Sequence, residues 1–165
     1  CRDERIILKN RETQHPILSS ENIPVCPEKH FFTNTGEKLT FRLIFPSVDT
    51  AMHYIDLIED CAESCFYIKG IVLSTEGNEW LNNGFRSYSE QKPELAIHYF
   101  LRFLEQYPDY PWGFVHYALV ECYADLQNWS KAGEWFSKIQ ESSLEDKTAI
   151  LGKIRLKNYF SRLHK

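Results

Sequence analysis

The sequence predicts a mainly α fold, with helical hairpins over residues 77–165 and a small α+β element over residues 29–76. Three observations carry that expectation. From about residue 78 onward apolar residues recur at helical spacing, in segments separated by Pro, Gly, Asn and Ser. In the N-terminal half, Leu39-Thr40-Phe41-Arg42-Leu43-Ile44-Phe45 is rich in β-branched and aromatic residues and stops at Pro46. Residues 1–28 show neither period, mixing charges with Ser19, Ser20, Pro16, Pro24 and Pro27, as an extended arm or linker does.

Taken in order, Phe31 and Phe32 precede the turn-rich Thr33-Asn34-Thr35-Gly36-Glu37, so 31–45 reads as a β-hairpin. Val48, Met52, Ile55, Leu57 and Ile58 then recur at helical spacing behind Ser47 or Asp49 as a cap, which predicts a helix over 49–62. Residues 65–73 can return as a strand or continue that helix. Their β-branched and aromatic content and Gly70 favour the strand. Helices follow at about 78–90, 93–107, 112–126, 129–140 and 144–163. Pro93 suits a first helical turn, where its missing N–H is not needed. Asn128 or Ser130 caps the fourth helix, and Ser142-Ser143 ahead of Glu145 and Asp146 opens the fifth.

Spacing inside the helical region says more. Trp80, Gly84, Ala96, Phe100 and Pro108 lie at offsets 0, 4, 16, 20 and 28. Small residues at 84 and 96 let two helices approach closely, large rings at 80 and 100 fill the space beside them, and Pro108 ends the second helix. This resembles the tetratricopeptide repeat, whose Trp-x2-Leu-Gly-x2-Tyr, Ala-x3-Phe and Pro signature spans about 34 residues. Asn83 and Ser87 depart from the pattern. A second unit restores both with Leu119 and Tyr123, in register with Ala132 and Phe136, but has His116 for Trp and Val120 for Gly. Leu151-Gly152 begins a third first helix that no second helix follows, as in a closing helix.

The resemblance implies a non-catalytic protein-interaction module, an adaptor or scaffold within a multi-subunit complex. Its partner would lie on the concave face of the first helices, at Leu81, Asn82, Phe85 and Tyr88, then Phe114, Tyr117, Glu121 and Asp125. Family members that grip a C-terminal carboxylate use Lys and Asn there. Leu81 and Phe85 offer no cation, so the implied ligand is an apolar or basic peptide or helix. Charge is uneven along the module, −7 over 76–146 and +6 over 147–165. Lys153, Arg155, Lys157 and Arg162 therefore form a secondary basic surface for an acidic partner or anionic lipid, unless they are simply a solvated helix end.

The formal net charge of −4 argues against nucleic acid as a partner. A competing reading has Phe31, Phe32 and Phe41 as RNA-stacking rings on the α+β element. No Gly-rich phosphate loop or Gly-x-Ser-x-Gly elbow is present, so neither an enzyme nor a cofactor is expected. Cys61-x3-Cys65 with His53 is too small a set for a structural zinc. The five cysteines lack a framework spacing and read as free thiols in a reducing cytoplasm, although two disulfides stay open. The alternative is an envelope lipoprotein tethered to a bacterial membrane through Cys1, the one case in which a membrane is a partner.

Overall fold

The stretch after Met52 shows how apolar spacing can mislead. In the computed structural model, which describes residues 1–2, 5–10, 13–49, 51–61 and 65–163, the expected helix over 49–62 is instead strand β5, Tyr54–Glu59. It is central in a four-stranded antiparallel sheet of order β2-β1-β5-β6, with β1 Ile6–Lys9, β2 Gln14–Pro16 and β6 Tyr67–Val72. An inner strand meets neighbours on both edges and can carry apolar groups on both faces, so it need not alternate. Met52, Ile55 and Ile58 fall three apart, which a helix would also produce.

The expected hairpin over 31–45 is also corrected. Only Arg42–Ile44 is a strand, β4, and its partner is β3, Ser19–Glu21, in a separate two-stranded sheet. Residues 1–28 thus supply three strands and are not an arm without structure. Residues 65–73 hold β6, so the strand reading applies there. Two of its residues, Lys69 and Gly70, oppose the single Asp56 of β5. Gly70 takes φ +68°, and its N–H donates to Asp56 Oδ1 at 2.7 Å. This is a glycine bulge, which a side chain at position 70 would strain.

Two disulfides, Cys1–Cys26 and Cys61–Cys65, replace the expected free thiols, leaving Cys122 alone unpaired. Beside the first, Arg2 N donates to Pro24 O and Cys26 N to Arg2 O, a short parallel bridge that holds the chain start against Val25. The zinc trio of Cys61, Cys65 and His53 dissolves, because both sulfurs are bonded to each other. Among the described residues no cluster of three His, Cys, Asp or Glu could hold a metal.

The chain divides into two units, Cys1–Leu73 and Ser74–Lys165. Among the described residues the first contains six strands and the second five α-helices. With 43% helix and 17% strand in two antiparallel sheets, the class is α+β, and the expected mainly α class does not hold. The strands β1, β2 and β3 run three or four residues, too short for an alternation to show, and the apolar spacing of β5 mimics a helix.

In the helical unit, α1 is Thr75–Ser89, α2 Pro93–Gln106, α3 Phe114–Asp125, α4 Trp129–Glu141 and α5 Lys147–Arg155. Each packs on the next. Ser74 caps α1 through its Oγ to Gly77 N, Asn128 caps α4 through its Oδ1 to Lys131 N, and Pro93 occupies the first turn of α2. Asp146 caps the far side of another junction, accepting from Gly113 N ahead of α3 at 2.7 Å. A Cβ built on Gly84 would stand 2.5 Å from the Phe100 ring, so α1 and α2 meet where only glycine fits. Ala96, Phe100, Leu119, Ala132 and Phe136 are all buried. The fifth helix is shorter than expected. It ends at Arg155, and a single 3-10 turn at Phe160–Arg162 follows.

The two hairpins turn alike. Gln91 and Gln127 both adopt the left-handed region, at φ +58° and +57°. Around them Lys92 N donates to Ser87 O and Asn128 N to Tyr123 O, the six-to-one bond that closes a helix C-terminus.

Candidate functional site

The expected concave face divides into an apolar floor and a polar end. On the floor, Leu81 is buried. Phe85 packs edge-on against Phe100 at 4.8 Å between centroids and tilted against Phe114 at 5.7 Å. Phe114 meets Tyr110, and Tyr110 meets Phe103. These rings are a continuous ladder through the hairpin core, with centroid spacings favourable for edge and offset contacts. Leu81, Phe85 and Phe114 therefore hold α1, α2 and α3 together more than they offer contact to a visitor. Asn82 is exposed on α1.

The polar end gathers around Glu121 on α3, which is 6% exposed. Its Oε2 accepts from Lys157 Nζ at 2.7 Å, and its Oε1 accepts from the Tyr159 hydroxyl. Lys157 also lies over the face of Tyr117, 5.8 Å from the ring centre. The hydrogen bond to Glu121 holds the Lys157 ammonium above its ordinary range. Burial pushes the Tyr159 phenol up, and its bond to Glu121 adds to that. Tyr88 is half-buried in the same field. Burial raises its phenol to about 12, with Glu121 and Asp125 contributing. Asp125 is exposed in its outline, yet partial burial and the nearby Glu121 raise its carboxyl. A cluster of carboxylates and phenols of this kind accepts a cation and a hydroxyl. It contains no activated nucleophile. The nearby Cys122 thiol is buried and pushed up to about 12, which keeps it protonated and inert.

The second set of expected residues separates. Lys153 and Arg155 are exposed at the end of α5. Lys157 turns inward to Glu121, and the Arg162 guanidinium stacks 4.8 Å from the centre of the Trp129 ring. Of the four cations only Lys157 is committed to an ion pair, with Glu121, while Lys153, Arg155 and Arg162 are exposed. Phe31, Phe32 and Phe41, the RNA-stacking alternative, are exposed but none lies on a strand, so no sheet platform displays them.

No family model, curated protein or solved structure matches the chain.

Sequence reasoning missed Tyr159 and the pairing of Lys157 with Glu121. A signal was present. Phe85, Glu121 and Lys157 lie 36 residues apart, the same interval that separates Ala96 from Ala132. Successive units in register place such positions side by side, so an acid and a lysine one period apart were candidates for a pair. Among the described residues, no helix is long and apolar enough to cross a membrane. The Cys1 sulfur, which the lipoprotein alternative requires for its thioether, is engaged with Cys26.

Proposed function

We propose that residues 74–165 are a non-catalytic protein-interaction module of tetratricopeptide-like hairpins, binding a basic partner segment on the α1–α3 face within a larger complex. The observation that carries this reading is Glu121, a buried carboxylate bordered by Tyr88, Tyr117 and Asp125. Lys157 answers that carboxylate within the chain, and the exposed Asp125 beside the pair leaves the face with acidic character. The face therefore selects positive charge, and its rings add area for the aliphatic stem of a lysine or arginine. The matched turns at Gln91 and Gln127 support kinship with helical repeats, whose units repeat one geometry. Two disulfides support an oxidising compartment as the working site, in place of the reducing cytoplasm expected from cysteine spacing.

A peptide-display library panned against the full chain tests this. Enrichment of basic, aromatic-containing sequences, weakened by salt and reduced at least tenfold by Asp125→Lys, is the expected result. Enrichment of acidic sequences, or of none, would sink the reading.

A further inference from the structure

Segment 156–163 has the form of a ligand seated on the face just described. Leu156 projects into solvent, 88% exposed, between the end of α5 and the fold-back. Beyond it the backbone hydrogen bonds are local: Lys157 N to Ile154 O, Phe160 N to Lys157 O, Arg162 N to Tyr159 O and Leu163 N to Phe160 O. Attachment to α3 and α4 runs through side chains. Lys157 and Tyr159 take Glu121, Tyr159 and Arg162 lie on Trp129, and Phe160 stands edge-on to Phe136 at 5.8 Å. At the far end the Leu163 carbonyl rests where a Cβ on Gly133 would stand, 2.9 Å away. Lifting such a segment breaks no ladder of backbone bonds and costs its side-chain contacts alone, the buried Leu163 among them.

We propose that Glu121 is the receiving site for a lysine followed two residues later by a tyrosine, and that Lys157-Asn158-Tyr159 fills it in cis. A partner of the proposed complex then carries the same pair of groups, an ammonium and a phenol two positions apart, and competes with the chain's own segment. This rests on the acidic-face reading above and specifies its ligand. Charge complementarity decides the occupant: Glu121 and Asp125 exclude an acidic segment. The paired oxygens of Glu121 fix the spacing, since each already accepts one of the two groups. Full occupancy in cis lowers the apparent affinity for a partner by the fraction of molecules in which the segment is lifted.

The test uses the full chain and a fluorescent, end-capped peptide with the sequence of residues 156–161. Two variants loosen the cis segment by different routes. Lys157→Ala with Tyr159→Phe removes its grip on Glu121, and Gly133→Ala presses on the Leu163 carbonyl, which the peptide lacks. We expect each to bind the peptide at least tenfold more tightly than wild type does. Adding Glu121→Gln is expected to erase the gain, and a peptide with glutamate in place of its lysine to show none. Equal affinities across wild type and both variants would overturn cis occupancy while leaving the acidic-face reading to its own library test. Binding unaffected by Glu121→Gln would overturn the assigned site. Should the double variant not fold, amide exchange of wild type decides the question. Protection at Phe160, Arg162 and Leu163 equal to that of α3 would make the segment a permanent part of the core and reject the proposal.

Discussion

His116 stands on α3 in a half-buried aromatic setting. The ring lies edge-on to Trp135 with centroids 5.5 Å apart, and Nδ1 has no hydrogen-bond partner among the described residues. Lys138 sits over the same Trp135 ring at 3.8 Å. Burial, aided by the Lys138 charge, lowers the imidazole from 6.5 to about 4. The native state therefore keeps His116 neutral where the unfolded chain is protonated. Stability from this group is present above about pH 6.5 and is lost as pH falls through about 4. A loss of about 3 kcal/mol between pH 7 and pH 4 is expected from this residue alone. Denaturant midpoints measured across that range should flatten in His116→Phe; an unchanged slope would mean that carboxylates, not this histidine, set the acid limit.

At the level of elements, the matched turns make a paired prediction. Gln91 and Gln127 hold a left-handed backbone that costs a residue with a Cβ about 1–2 kcal/mol. Glycine relieves most of that cost but loses more entropy on folding. Gln91→Gly and Gln127→Gly should each stabilise the helical unit by about 0.5–1 kcal/mol, read as a rise in urea midpoint. A destabilised variant would show that the glutamine side chain holds the turn.

The helices were legible because four of them span 12 to 15 residues, long enough for the 3.6-residue period to repeat, and because Pro93 and Asn128 mark their starts. Among the strands β6 was legible from its β-branched and aromatic content, and most of the others were not. Ser19–Glu21 and Arg42–Ile44 are three residues each, and their pairing joins segments about 23 apart in sequence with no hairpin turn to announce it. At the site, the resemblance to a repeat names Tyr117, Glu121 and Asp125, and the structure pairs Glu121 with Lys157 and Tyr159. What spacing could not reveal was the reversal of the chain after Arg155, which depends on Trp129, Phe136 and Gly133 receiving it.

On the scale of the whole molecule, the two units draw on different sources of stability. Among the described residues the helical unit buries most of its rings and aliphatics, with Leu95, Leu101, Leu126 and Leu156 exposed, whereas the strand unit buries Ile6, Ile55 and Val72 and exposes Leu18, Phe31, Phe32, Phe41, Ile44, Tyr67, Ile68 and Leu73. A small unit with so few buried apolar groups needs cross-links. Cys1–Cys26 spans 25 residues and Cys61–Cys65 spans 4. By loop entropy they contribute about 3 and about 2 kcal/mol respectively. Adding reductant should melt or lower the β-sheet transition while the helical transition stays in place, as followed by circular dichroism at two wavelengths. Identical melting with and without reductant would show that the bonds add nothing.

The same cysteine arrangement equips the protein with its own clock. With four sulfurs locked in pairs, one thiol remains, on α3 in the middle of the helical unit, fully shielded and protonated. A thiol reagent can reach it only when that unit opens. The labelling rate under native, non-reducing conditions therefore counts opening events, with no introduced probe, and makes the lifetime of the closed helical unit directly measurable in the unmodified chain.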